Sequence, residues 1–261
     1  MTVVKNRIYL ATLLAASMLP AAFAQSTSFT TASAGNWSSI VAPDSIAAGF
    51  GTGFATGNTP GTLPLQTTLG GATVTITDSA GVNTAAPLFM VSSGQINYLV
   101  PANAALGKGT ISATANGTTF TGNIQISNVS PAIFTANNNG SGVAAAQLIN
   151  VAADGTVTTP SPYQTGVLSY ATKPIDISSG KVYLVLYGTG IRRHSANPVK
   201  ASIGGVAVPV LFAAAQGSLP GLDQINLGPL PQTLANTGKG DVNLVVTVDG
   251  VPANVTLINI K

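Results

Sequence analysis

The chain has 261 residues, enough for one large domain or two small ones. Charged side chains make up only 7% of it, against roughly a quarter in an ordinary soluble protein; the formal net charge is +3, and there is no cysteine. These values exclude a basic nucleic-acid surface, a disulfide framework and a thiolate metal site.

Residues 1–24 read as a secretory signal peptide. A basic start at Lys5 and Arg7 is followed by an apolar run from Ile8 to Leu19. Ala22-Phe23-Ala24 then puts small residues at the two positions a signal peptidase reads, placing cleavage before Gln25. The run is short for an anchor and no other stretch is as unbroken, so no membrane span is expected after cleavage. Ten Lys and Arg, less Lys5 and Arg7, leave eight positive charges against seven aspartates. A surface so weakly charged repels its neighbours little, which permits self-association outside the cell.

After the leader, short β-branched runs alternate with Thr, Ser or Asn and are cut by Gly and Pro. In "ATVTITD", Val74 and Ile76 face one way while Thr73, Thr75 and Thr77 face the other. "TISATANG" ends at Asn116-Gly117 and "LVVTVDG" at Asp249-Gly250, both signatures of a two-residue hairpin turn. Many short strands with such turns predict an all-β sandwich architecture.

Four blocks recur in the same order. "FGTGF" from Phe50 returns as "YGTGI" from Tyr187, and "LGGATVTI" from Leu69 as "IGGVAVPV" from Ile203. "GQINYLVP" returns as "DQINLGPLP", and "GKGTISATANG" from Gly107 as "GKGDVNLVVTVDG" from Gly238. The expected organisation is therefore two tandem immunoglobulin-like β-sandwiches, 25–128 with an N-terminal extension and 177–261. Between them lies a connecting segment, 129–176, in which Val143 to Asn150 pairs with Thr156 to Thr159 through Ala-Asp-Gly as a β-hairpin.

The repeated Gln-Ile-Asn (Gln95, Ile96, Asn97 and Gln224, Ile225, Asn226) reads as a signature strand. In extended backbone Ile96 and Tyr98, or Ile225 and Leu227, face the core. Gln95 and Asn97, or Gln224 and Asn226, face the other way as structural ties, free to bond loop backbone, and the following proline ends the strand.

This motif order resembles IPT/TIG domains, a branch of the immunoglobulin-like sandwiches. The longer pattern "VAPDSIAAGFGTGFA", "GQINYLVP", "SPAIFTANNNGSG", "YGTGI" and "PGLDQIN" resembles the Solibacter-type uncharacterised C-terminal domain of secreted Acidobacteria proteins. The resemblance covers about Ala32 to Ile260. It implies secretion and β-structure and brings no catalytic residues with it.

Candidate chemistry is sparse. "GFGTGFATG" has Thr at position 56 where a dinucleotide loop needs its third glycine, so a strand entering a tight turn explains it better. "GIRRHSANP" carries the single histidine. A hydrolase using His194 is a remote alternative, since Ser195 lies beside it without a nucleophile elbow or a local aspartate. Arg192, Arg193 and His194 gather three potential cations, which makes 191–197 the candidate loop for an extracellular protein or glycan partner. "DSAGVN" and "VAADGT" lack the alternating oxygen ligands of a calcium loop and read as turns. Trp37 reads as a packing anchor rather than a sugar platform. No catalytic, metal or cofactor site is expected. The chain reads as a secreted, non-enzymatic structural or adhesive protein of the cell surface or matrix that acts through an extracellular protein or glycan or by self-association; the alternative is an extracellular glycan- or partner-binding module acting through loops such as 191–197.

Overall fold

A computed structural model describes residues 27–166, 169–196, 199–236 and 240–261. The predicted leader and its cleavage point lie outside the described residues, as does the end of the 191–197 loop.

The first sandwich uses β1 (Thr30–Ser33), β2 (Ile40–Val41), β3 (Ile46–Phe50), β4 (Thr59–Pro60), β5 (Thr68–Leu69) and β6 (Ala72–Thr77). It continues with β7 (Asn83–Ala85), β8 (Leu88–Val91), β9 (Gln95–Leu99), β10 (Gly107–Ala115) and β11 (Thr118–Ile126). One sheet runs β1-β3-β9-β8-β4; the other runs β2-β11-β10-β6-β5, with β7 also on β6.

The second sandwich takes β12 (Ala132–Ile133), β13 (Ala146–Val151), β14 (Val157–Thr158), β15 (Tyr163–Thr165), β16 (Tyr170–Thr172), β17 (Pro174–Ile175) and β18 (Lys181–Thr189). It then has β19 (Lys200–Ile203), β20 (Val206–Val208), β21 (Val210–Ala215), β22 (Asp223–Leu227), β23 (Gly240–Val248), β24 (Val251–Pro252) and β25 (Thr256–Ile260). Its sheets run β14-β13-β18-β22-β21 and β17-β25-β23-β19-β20, with β15-β16 a separate hairpin.

The all-β architecture of two immunoglobulin-like sandwiches is therefore present. So are its turns. Asn116-Gly117 joins β10 to β11 with φ of 50° and 75°, and Asp249-Gly250 joins β23 to β24 with 49° and 82°. Both central residues are left-handed, which is why Asn-Gly and Asp-Gly fit there. The hairpin between the units pairs Asn150 with Thr158 and Val151 with Val157. Its first strand does more than connect: β13 pairs with β18 from Ala146↔Leu186 to Val151↔Lys181 and so belongs to the second sandwich's sheet.

One repeated block behaves differently from its alignment. Gly70-Gly71 and Gly204-Gly205 both form the turn, but the strands around it exchange places. In the first unit the strand after the turn, β6, lies against β10; in the second the strand before it, β19, lies against β23. The cause is Pro209. Val206–Val208 runs straight into a residue without an N–H, which cannot continue a central ladder. Ala72–Thr77 has six residues and pairs on both edges.

Each sandwich has its own core. In the first, alternation buries Val74, Ile76, Ile96, Tyr98, Ile111 and Phe120; in the second, Leu184, Leu186, Ile225, Leu227, Leu244 and Val246. Strand period two produces both sets.

Candidate functional site

The Gln-Ile-Asn strands are β9 and β22. Ile96, Tyr98, Ile225 and Leu227 are fully buried, as the alternation requires. The amides on the opposite face are half-buried. Gln95 Nε2 donates to Asn97 Oδ1 at 2.7 Å, and Gln224 Nε2 to Asn226 Oδ1 at 2.8 Å. These bonds join neighbours on one strand face rather than amide to loop backbone as the sequence suggested. Residues i and i+2 share a face, so two long amides reach each other more easily than a distant loop.

The Gly-Thr-Gly corner follows β3 and β18. In the first unit the N–H groups of Gly53 and Phe54 donate to Ser93 O, and Phe54 enters the core. In the second, Ile191 enters the core and its N–H donates instead to the Asp223 carboxylate at 2.7 Å. Arg192 closes the same carboxylate. Its Nε lies 2.6 Å from Asp223 Oδ1, its backbone N–H reaches Oδ2, and its guanidinium also donates to Leu222 O at 2.8 Å. Asp223 has no exposed surface. Burial pushes its carboxyl upward, opposed by the Ile191 N–H and by Arg192.

Arg193 points the other way, to the first sandwich. Its Nη1 donates to Ala102 O at 2.9 Å and lies 3.6 Å from Asp44 Oδ2, while its carbonyl accepts from Asn128 Nδ2 at 2.8 Å. His194 sits between two carbonyl oxygens, Ser195 O 2.7 Å from Nδ1 and Ala213 O 2.9 Å from Nε2. Filling both contacts needs two N–H donors, which only the imidazolium has. These two carbonyls, Ala213 first, raise its pKa, with Asp249 and Asp223 adding to the effect and burial opposing it.

Ser195 completes the loop. Its N–H and hydroxyl donate to the two Asp249 oxygens, each at 2.8 Å. Ser195, His194 and Asp249 are thus near one another but wired unlike a hydrolytic triad. The hydroxyl donates to the aspartate, and the ring reaches the serine carbonyl rather than Oγ, so the histidine is not set as a base against the would-be nucleophile. All three expected cations of the loop have partners within the chain.

The loop adjoins a seam between the sandwiches. The Ile46 N–H donates to Thr189 Oγ1 at 2.8 Å, and that buried hydroxyl donates to Gly221 O at 2.8 Å. Ser130 Oγ donates to Ile40 O at 2.7 Å. Gly221 has φ of 76°, and a Cβ there would come within 2.6 Å of Ile46 Cγ1 and 2.9 Å of Leu99 Cδ1. Beside the seam an open groove of about 560 Å³ is lined by Leu63, Pro64, Arg192, Ala215, Leu219 and Pro220, among others.

The remaining sequence candidates resolve into structure. Asp78 accepts the N–H groups of Ala80, Val82 and Ala105, which hold its carboxyl below the usual range; Asp154 accepts that of Thr156. Both are turn residues. No group of three potential metal ligands occurs among the described residues. Trp37 is partly exposed and packs on Phe50 with ring centroids 5.8 Å apart. Among the described residues no helix is long and apolar enough to cross a membrane.

Sequence reasoning missed Asp223 and Asp249 as partners of this loop. The available signal was scarcity. In a chain with seven acids, an aspartate that opens a core strand ("LDQIN") has to be matched if it is buried.

No protein-family model matches the chain, and no curated protein matches it. The solved structures similar to it include the following three. The S-layer protein SbsC, domains 5-6, is 12% identical, covering 89% of this chain and 96% of that one, with a TM-score of 0.28. InvD of Yersinia pseudotuberculosis is 13% identical over 91% of this chain and 59% of that one, with a TM-score of 0.23. The I9-I11 tandem from titin is 7% identical over 85% and 95%, with a TM-score of 0.19.

Proposed function

We propose that the chain is an exported, non-enzymatic structural or adhesive element in which the two sandwiches act as one stiff spacer at the cell surface or in the matrix. The observation that carries this reading is the seam. Arg193, Asn128, Thr189 and Ser130 place side chains of one unit on backbone or carboxylate of the other. Backbone contacts of this kind are specific to one docking geometry, whereas flexibly linked domains leave few contacts across the join. The inert wiring of Ser195, His194 and Asp249 supports the absence of catalysis. The motif order supports placement among the Solibacter-type secreted domains, with the unit boundaries at 25–128 and 177–261 and the segment 129–176 folding with the second unit.

Small-angle scattering tests the spacer. A single narrow size distribution is expected for the chain, broadening when Arg193→Ala and Asn128→Ala are combined with folding intact. A broad distribution already present in the parent overturns the reading.

A second reading, a glycan- or partner-binding module using the 191–197 loop, is favoured by the groove that Arg192 helps to line. Binding lost in Arg193→Ala without loss of stiffness would select it.

A further inference from the structure

An edge strand with open backbone groups recruits another strand unless it is short, charged or covered. Most edges of these four sheets are short. β2, β4, β5, β14 and β17 have two residues each, β20 has three, and β1 has four, of which three are buried. β21 is the exception, with six residues. No charged side chain occurs from Gly204 to Leu222, and no proline within the strand. Leu211 is 60% exposed and Phe212 40%, beside a register shift that leaves Phe212 to Ala215 regularly paired with β22.

The direction of its backbone groups follows from one bond. The Gln216 N–H donates to Leu222 O, toward β22. Alternation then turns the N–H and C=O of Ala213 and Ala215 outward. His194 Nε2, 2.9 Å from Ala213 O, meets one of these groups.

We infer that β21 is a self-association edge, where two copies pair antiparallel about a twofold axis at Ala214 and exchange the outward groups of Ala213 and Ala215, with His194 as the plug that leaves Ala213. A second copy is the occupant because twofold pairing sets the residues at the axis beside their own duplicates. Any charge there would face its like, and this stretch has none. Three consecutive alanines let the backbones approach, and Leu211 and Phe212 supply apolar cover at either end.

Sedimentation of the purified chain at rising concentration tests this. Dimers are expected, weakened about tenfold or more by Ala215→Pro, which removes an outward N–H and leaves the ladder to β22 intact. Ala214→Lys sets two like charges directly opposite each other across the axis and is expected to weaken the dimer comparably, whether or not the proline variant folds. His194→Ala uncovers Ala213 and is expected to strengthen it. A dimer unchanged in the edge variants overturns the inference. So does a chain that stays monomeric both as parent and as His194→Ala, including one that instead takes up a strand from a different protein.

Discussion

In the first sandwich Phe29, Phe54 and Phe120 meet edge to face, with centroids 5.6 and 4.8 Å apart, and Tyr98 lies 6.5 Å from Phe29. In the second, Ile191 stands where Phe54 does and Leu227 where Tyr98 does, and the buried core is wholly aliphatic. The Gly-Thr-Gly corner differs too. Backbone carbonyls of Ser93 and Gly94 close it in the first unit, while the Asp223 carboxylate with Arg192 closes it in the second. One strand template thus accepts two packings. An aromatic core fills the space with few large side chains and must give the Tyr98 hydroxyl a partner, which is Thr31 at 3.0 Å. The aliphatic core needs no such partner and carries its polar tie at the rim.

The largest expected difference between the units lies at that corner. Asp223→Ala leaves the buried Ile191 N–H unpaired and the partly exposed Arg192 guanidinium with Leu222 O as its remaining partner among the described residues, and is expected to cost about 3 kcal/mol or more. Gly94→Ala, at the matching position of the first unit, meets only Gly51 O at 3.6 Å and is expected to stay within about 0.5 kcal/mol. Denaturant midpoints for the two variants measure the contrast. Equal, small effects would mean that the ion pair does not hold the corner.

Exchanging core residues comes next. Tyr98→Leu makes the first core resemble the second, opens a cavity and leaves Thr31 unpaired, for an expected loss of about 2–4 kcal/mol. Leu227→Tyr overpacks the second core and buries a hydroxyl, at about 1–3 kcal/mol. Tyr98→Phe isolates the hydrogen bond, near 1 kcal/mol. If Tyr98→Leu is neutral, the two packings are interchangeable and the comparison fails. The amide pair repeats in both units, so Gln95→Ala and Gln224→Ala are expected to cost the same, about 0.5–1 kcal/mol each. Unequal losses would show that only one pair is structural.

Much of this was legible in the residues themselves. Alternation around Val74 and Ile76 and the Asn-Gly and Asp-Gly turns depend on neighbours in the chain, and both appear in the structure as read. The exchange of β6 and β19 was not legible, because "LGG" and "IGG" encode the same turn and only Pro209, four residues beyond, decides which flanking strand enters the sheet. The partners of the Arg192–Ser195 loop were hidden for a different reason. Asp223 and Asp249 lie 31 and 54 residues away in sequence, and local pattern carries no record of which cation a distant carboxylate meets.

The smallest effect concerns the one histidine, which the first sandwich lacks. Two carbonyls face the His194 ring, from its own loop and from β21. Asp249 on the β23–β24 turn and Asp223 on β22 add negative charge, and Arg192 and Arg193 flank it along the loop. Its pKa is raised on folding, so its contribution to stability is complete below the unfolded value of about 6.5. That contribution is lost as pH rises through the higher folded value, where the ring gives up one donor. Hydrogen exchange at the Ser195 amide is therefore expected to quicken, beyond the intrinsic base catalysis, as pH passes that point. The Tyr98 and Thr31 region of the first unit should show no such excess. His194→Gln, which has one donating group and no titration, is expected to remove the pH step and leave the loop as loose at low pH as the parent is at high pH. A step that persists in His194→Gln would assign it to another group and separate the histidine from the difference between the two sandwiches.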